Sequence, residues 1–219
     1  KGLEIFPPPG VRIVCFDVVG TMVEPWPSVA DAYVMVGHKF HVEPARDEIV
    51  RRFAEAWSKQ ESIDAAGSCP FATSQVRERE RWRCIVDDVF DHAPQSGLIF
   101  ENLWKHFGSP SSWRSLPHGE ALMEKAILKG CGIALASNFD ERLITIAQAL
   151  SPLNKASHVF ASSELGWRKP AIEFFRAVEQ RLNARPDELA MVGDDDRLDI
   201  AAAVRAGWRG IPVTSTGDP

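Results

Sequence analysis

VRIVCFDVVGTM (residues 11–22) opens on a run rich in β-branched residues that stops at an acid and then turns at a glycine. Residues 11–16 read as a strand covered on both faces, the pattern of a parallel sheet. The proline-rich segment ahead of the run bounds its start. Working outward, four further runs repeat the theme: GIALA (132–136), HVFA (158–161), LAMV (189–192) and GIPV (210–213). Segments with helical periodicity separate them, at 119–129, 140–150, 171–183 and 198–206. Strands alternating with helices predict right-handed crossovers and an α/β fold built on a doubly wound parallel sheet.

Residues 25–117 break this alternation. Four helices are expected there, over about 28–40, 45–63, 72–90 and 96–107. Pro25, Pro27, Pro110 and Pro117 punctuate the junctions, which predicts hinges at 24–27 and 109–118. The expected organisation is therefore an α/β core from 1–24 and 118–219, with an inserted helical domain at 25–117. Arg77, Arg79, Arg81 and Arg83 alternate with glutamates and read as a solvated helix face. Trp57, Trp82 and Trp104 read as the lobe's own core. Trp26 and Trp167 are better placed to touch a ligand, although packing is the simpler role for both.

The 219 residues are 45% hydrophobic and 25% charged, enough to bury a substantial core. A formal net charge of -5 speaks against a nucleic-acid partner and gives no reason to expect an anionic membrane surface. No apolar run is long enough for a bilayer, and KGLEIFPPPG lacks the pattern of a secretory signal. Cys15, Cys69, Cys84 and Cys131 show no CxxC spacing, so reduced thiols and a cytoplasmic location are expected. The oligomeric state leaves no mark on the sequence.

Open parallel sheets bind ligands at the carboxyl ends of their strands. The residues there are Asp17-Val18-Val19-Gly20-Thr21, then Ser137-Asn138, then Arg168-Lys169-Pro170, and finally Gly193-Asp194-Asp195-Asp196 with Asp199 a turn beyond. Singly, each has a plainer role: a capping acid, a helix N-cap, a helix start, a solvated turn. Together, in order and each behind its own strand, they put several carboxylates and one amine on one rim. Converging carboxylates need a shared proton or a cation. Oxygen ligands without paired His or Cys select Mg²⁺. Asp17 is then a candidate nucleophile and Lys169 and Ser137 candidate holders of the charge that develops.

Asp17-x-x-Gly20-Thr21, Ser137, Lys169-Pro170 and Gly193-Asp194-x4-Asp199 resemble the four motifs of the haloacid dehalogenase (HAD) superfamily. The tail DIAAAVRAGW is similar to that family's usual continuation. The match spans about 11–22 and 119–213, and the insertion sits where the family carries its helical cap. The resemblance implies a HAD-like Rossmannoid core and a magnesium-dependent hydrolase of phosphatase type acting on a small phosphorylated metabolite. It also implies roles: Asp17 and Lys169 catalytic; Gly20, Thr21, Ser137, Asn138 and Lys169 around the phosphate. Asp17, the Val19 carbonyl, Asp194 and Asp199 would form the metal site. One departure stands out. Family phosphatases carry a second Asp where this chain has Val19, and valine can neither protonate a leaving group nor activate water. Substitution by another group, a substrate needing no proton, or reduced activity all remain open. Haloacid dehalogenases also lack that Asp, but they work without a metal, which would leave Asp194 without purpose. The alternatives are a haloacid dehalogenase-type hydrolase and a catalytically weak binding protein of the same fold.

Overall fold

Residues 6–213 are described by a computed structural model of the chain. The terminal parts of the expected core segments, 1–5 and 214–219, lie outside the described residues. Five strands form one sheet: β1 (Ile13–Phe16), β4 (Gly132–Ser137), β5 (His158–Ala161), β6 (Leu189–Gly193) and β7 (Arg209–Pro212). Their order is β5-β4-β1-β6-β7 and every pairing is parallel. The strand read first is the central one, with Phe16 in register with Leu135 on one side and Val192 on the other.

Alternation along β1 explains why both faces are apolar. Val14 and Phe16 enter a cluster with Met123 and Leu143, which belong to helices α5 (Pro117–Leu128) and α6 (Arg142–Ala149). Cys15 points the other way, into a cluster with Phe174 and Phe175 of α7 (Ile172–Leu182) and Ala202 of α8 (Ala202–Arg205). Helices thus cover both faces of the sheet, and truncating a buried side chain such as Phe16 to alanine would cost about 3–5 kcal/mol. Burial pushes the Cys15 thiol up to about 12, only partly opposed by Lys169, which leaves it unreactive.

The inserted segment forms α1 (Val29–Lys39), α2 (Arg46–Ala66), α3 (Gln75–Val89) and α4 (Ser96–Phe107). Tyr33, Ile49, Ile85, Val89, Phe90 and Ile99 give these helices their own apolar cluster. Ser28 and Ser74 accept from the backbone N–H groups of Asp31 and Arg77 and so cap α1 and α3. The cap at Ser74 is why α3 begins at Gln75 rather than at the expected 72. Among the described residues, no helix is long and apolar enough to cross a membrane.

Three local differences from the sequence reading have physical causes. The two hinge segments pair as a short antiparallel ladder, β2 (Val23–Pro25) with β3 (Trp113–Ser115), reinforced by Arg114 donating to Glu24 at 2.5 Å. The helix expected from 198 starts earlier, as a wide turn over Asp196–Ala201, because the Asp195 carboxylate accepts from the N–H groups of Arg197 and Leu198. The arginine run is not uniformly solvated: Arg81 is 1% exposed and pairs with Glu61 and Asp64 of α2.

Candidate active site

The rim of the sheet brings together Asp17 from β1, Ser137 from β4, Lys169 from the loop after β5, and Asp194 and Asp199 from beyond β6. Lys169 Nζ donates to Asp17 Oδ1 at 2.8 Å, to Asp199 Oδ1 at 2.5 Å and to the Ala136 carbonyl at 3.1 Å. Ser137 Oγ donates to the same Asp17 oxygen at 3.1 Å. Asp17, Lys169, Ser137 and Asp199 are buried, whereas Asp194 faces the opening. One carboxylate oxygen from each of Asp17, Asp194 and Asp199 lies within 4.8 Å of the others.

Burial pulls the Lys169 ammonium down, but Asp17 and Asp199 outweigh it and hold the pKa above its ordinary value, so the amine stays charged. Burial pushes the Asp199 carboxyl up to about 6; Lys169 opposes this and the Asp17 charge adds to it. Asp194 is also raised, first by the water its surroundings exclude, with the Thr21 hydrogen bond working against the shift. Three carboxylates against one ammonium leave the rim with an excess of two negative charges when all are ionised.

Two glycines make the cluster possible. Gly20 has φ +90, and a Cβ there would come within 2.4 Å of Asp194 Oδ2. A Cβ on Gly193 would meet the Asp199 carboxylate at 2.3 Å. Two other expected phosphate contacts have a different geometry. The Asn138 carboxamide donates to the Lys169 carbonyl at 2.9 Å and accepts from the Lys169 N–H at 2.7 Å, so it braces that residue rather than pointing at a ligand. The Thr21 hydroxyl is fully buried and donates to Asp194 Oδ1 at 3.1 Å, so it orients an acid.

A cavity of about 590 Å³ opens above these groups, between the sheet rim and the helices of the insertion. Its walls are aromatic: Phe53, Trp57, Trp82, Phe100, Trp104 and Trp113 are among them. Three tryptophans expected to be lobe core thus also line the site, while Trp26 and Trp167 do not. Trp26 lies outside under the Arg114 guanidinium, and Trp167 packs on the far face of the sheet. Sequence reasoning also missed Asp140 and Arg142. Arg142 lies 3.4 Å over the Trp104 ring, with Asp140 gripping it through both carboxylate oxygens at 2.7 Å. The acid and base two residues apart, DER after SNF, were the available signal.

Arg168 and Lys169 face different partners. Arg168 is buried and donates to both oxygens of Glu78 in α3, at 2.7 and 2.8 Å, while Phe71 and Thr73 make backbone hydrogen bonds to the same loop.

A family model described as haloacid dehalogenase-like hydrolase matches residues 11–207. The haloacid dehalogenase-like hydrolase domain-containing protein 3 of Homo sapiens is 28% identical over 211 residues, covering 93% of this chain and 82% of that protein. A phosphoglycolate phosphatase of Escherichia coli is 22% identical, covering 93% and 81%. Among solved structures, a defluorinating L-2-haloacid dehalogenase superposes with a TM-score of 0.73 at 19% identity, over 95% of this chain and 84% of the other.

Proposed function

The chain belongs to the haloacid dehalogenase-like hydrolases, and within that family we propose that it is a phosphatase acting on a small phosphorylated molecule through an aspartyl-phosphate on Asp17. The observation that carries this is the cluster of three carboxylates around one buried ammonium. Such a rim repels an anionic substrate unless a divalent cation offsets its charge.

The donor set fits Mg²⁺: hard oxygens from Asp17 and Asp194, with Asp199 behind them and the Val19 carbonyl available from the neighbouring loop. When bound, the ion would neutralise phosphate oxygens and acids alike. Asp17 attacks phosphorus with a carboxylate oxygen, the P–O bond to the leaving group breaks, and water then hydrolyses the aspartyl-phosphate to inorganic phosphate. Lys169 and Ser137 hold charge on the transferring group, aided by backbone N–H groups of the Gly20–Thr21 turn. Asn138 fixes the backbone of Lys169, Thr21 sets the rotamer of Asp194, and Asp199 keeps Lys169 aimed at Asp17. In this reading residues 25–117 act as a cap that closes the cavity over the core formed by 1–24 and 118–219.

A phosphoglycolate phosphatase among the relatives supports phosphorus as the target. The dehalogenase likeness extends to the fold alone, and a metal-free reaction would give the acidic rim no use. The test is hydrolysis of 4-nitrophenyl phosphate with and without Mg²⁺. Turnover should require the ion and fall by about 10⁴-fold in Asp17→Asn, with an unchanged circular dichroism spectrum. Halide release from 2-haloacids that is indifferent to a chelator would refute the proposal.

A further inference from the structure

The cavity above Asp17 has a chemical character that narrows what can enter it. Its volume, about 590 Å³, is in the range of pockets for small organic ligands and much larger than a two-carbon phosphate ester needs. Phe53, Trp57, Trp82, Phe100 and Trp104 present ring surface to it. Three basic side chains line it, and each already has carboxylate partners. Arg142 is held by Asp140 and donates its remaining Nη to the Trp104 carbonyl at 2.7 Å. Arg168 is held by Glu78, and Lys169 by Asp17 and Asp199. Among the described residues, the lining therefore offers no unneutralised cation for a carboxylate on the substrate.

Among the described residues, the walls beyond the rim acids offer no free carboxyl to protonate the leaving group. Val19 stands at the loop position nearest Asp17 that faces the cavity. Beyond the three rim acids, the acidic lining residues are Asp140, bound to Arg142, and Asp195, whose carboxylate caps the following helical turn. Tyr33 also lines the cavity, but burial lifts its phenol above the ordinary value and makes it a poorer acid. A leaving group that departs as a stable anion tolerates this; an alkoxide does not. Phenols ionise at about pH 10, so an aryl ester depends less on a general acid than an alkyl ester does.

Resting on the phosphatase reading, we propose that the substrate is a phosphate monoester of an otherwise uncharged phenol, whose flat body occupies the cavity lined by Trp57, Trp82 and Trp104. In the first step, Asp17 forms the O–P bond and the P–O(aryl) bond breaks with its electron pair on the aryloxide. The aryloxide then takes a proton from solvent, and water cleaves the aspartyl-phosphate to phosphate and the free carboxylate. No oxidant or further reactant is needed.

The experiment has a binding arm and a turnover arm. Binding of 1-naphthol, which carries no phosphorus, is measured by calorimetry on the metal-free protein. Saturable 1:1 binding is expected, weakened at least tenfold in Trp82→Leu. It should weaken likewise in Ala54→Trp, which fills the cavity from an exposed position on its rim without removing core packing. In the turnover arm, the Mg²⁺-loaded enzyme should show kcat/KM for 1-naphthyl phosphate at least a hundredfold above that for phosphoglycolate. Val19→Asp should narrow the gap by raising the alkyl ester more. Naphthol binding with no phosphate ester turned over would sink phosphoryl transfer and keep the aromatic site. Absence of saturable naphthol binding, or a preference for phosphoglycolate, would overturn the aromatic site whatever the chemistry.

Discussion

Gly20 sits under the Asp194 carboxylate with a positive φ, so any side chain there is strained twice, by its own backbone and by the acid above it. Gly20→Ala should cost about 1–3 kcal/mol and displace Asp194. A fall in melting temperature together with a rise in the Mg²⁺ concentration for half-maximal activity is expected; a melting change alone would separate the glycine from the metal. Asp199 makes a pH prediction. Its carboxyl is raised by burial to about 6, against about 4 in an unfolded chain. Between those values the folded protein keeps a proton that the unfolded one has lost, so this residue's contribution to stability declines as pH rises through the window and is flat above it. Urea melts of the metal-free protein should show the stability difference between wild type and Asp199→Asn shrinking from pH 4.5 to 7. Growth of that difference would mean that Lys169 outweighs burial. Asp17, Ser137, Lys169, Asp194 and Asp199 were legible as a group because they follow four successive strands of the parallel sheet, the last two behind the same one. The side-chain partners of Asn138 and Thr21, Lys169 and Asp194, were not legible, since they lie far away in the chain.

At the level of elements, α3 shows where local pattern stops being informative. Its Arg–Glu alternation describes a charged helix but cannot say which turn is covered. In the folded chain Glu78 and Arg81 are buried against α2 and the Lys169 loop, while Arg83 stays outside. The Arg168 and Glu78 side chains are 3% and 1% exposed, and an unbalanced charge at such depth is expensive. Glu78→Gln is expected to lose about 3 kcal/mol in a urea denaturation experiment. A loss below about 1 kcal/mol would show that Glu61 and Asp64 alone satisfy Arg168. The strands, by contrast, were readable to within two residues, because the central three are buried on both faces and the edge pair keep short apolar runs between turns. The β2–β3 ladder escaped notice since three residues and a proline carry no period.

For the molecule as a whole, the parallel sheet and the helical insertion followed from alternation and its interruption, whereas the cavity between them did not. A single tryptophan on each of three helices looks alike whether its free edge meets a neighbour or an empty space. Metal addition tests the assembled rim. At a hundredfold excess over its dissociation constant, Mg²⁺ should stabilise the wild type by about 2.7 kcal/mol, a shift on the order of 5–10 °C for a chain of this size. Asp194→Asn should show little of it in a thermal melt, and an equal shift in both would place the ion elsewhere. The Arg168–Lys169 dipeptide has one more consequence. Its first side chain is gripped by α3 and its second aims at Asp17, so the inserted helices cannot swing outward without releasing a guanidinium and a carboxylate into water. Dissolved ions gather around such freed charges but barely reach the dry pair. Any outward motion of the inserted helices is therefore expected to become easier in concentrated salt.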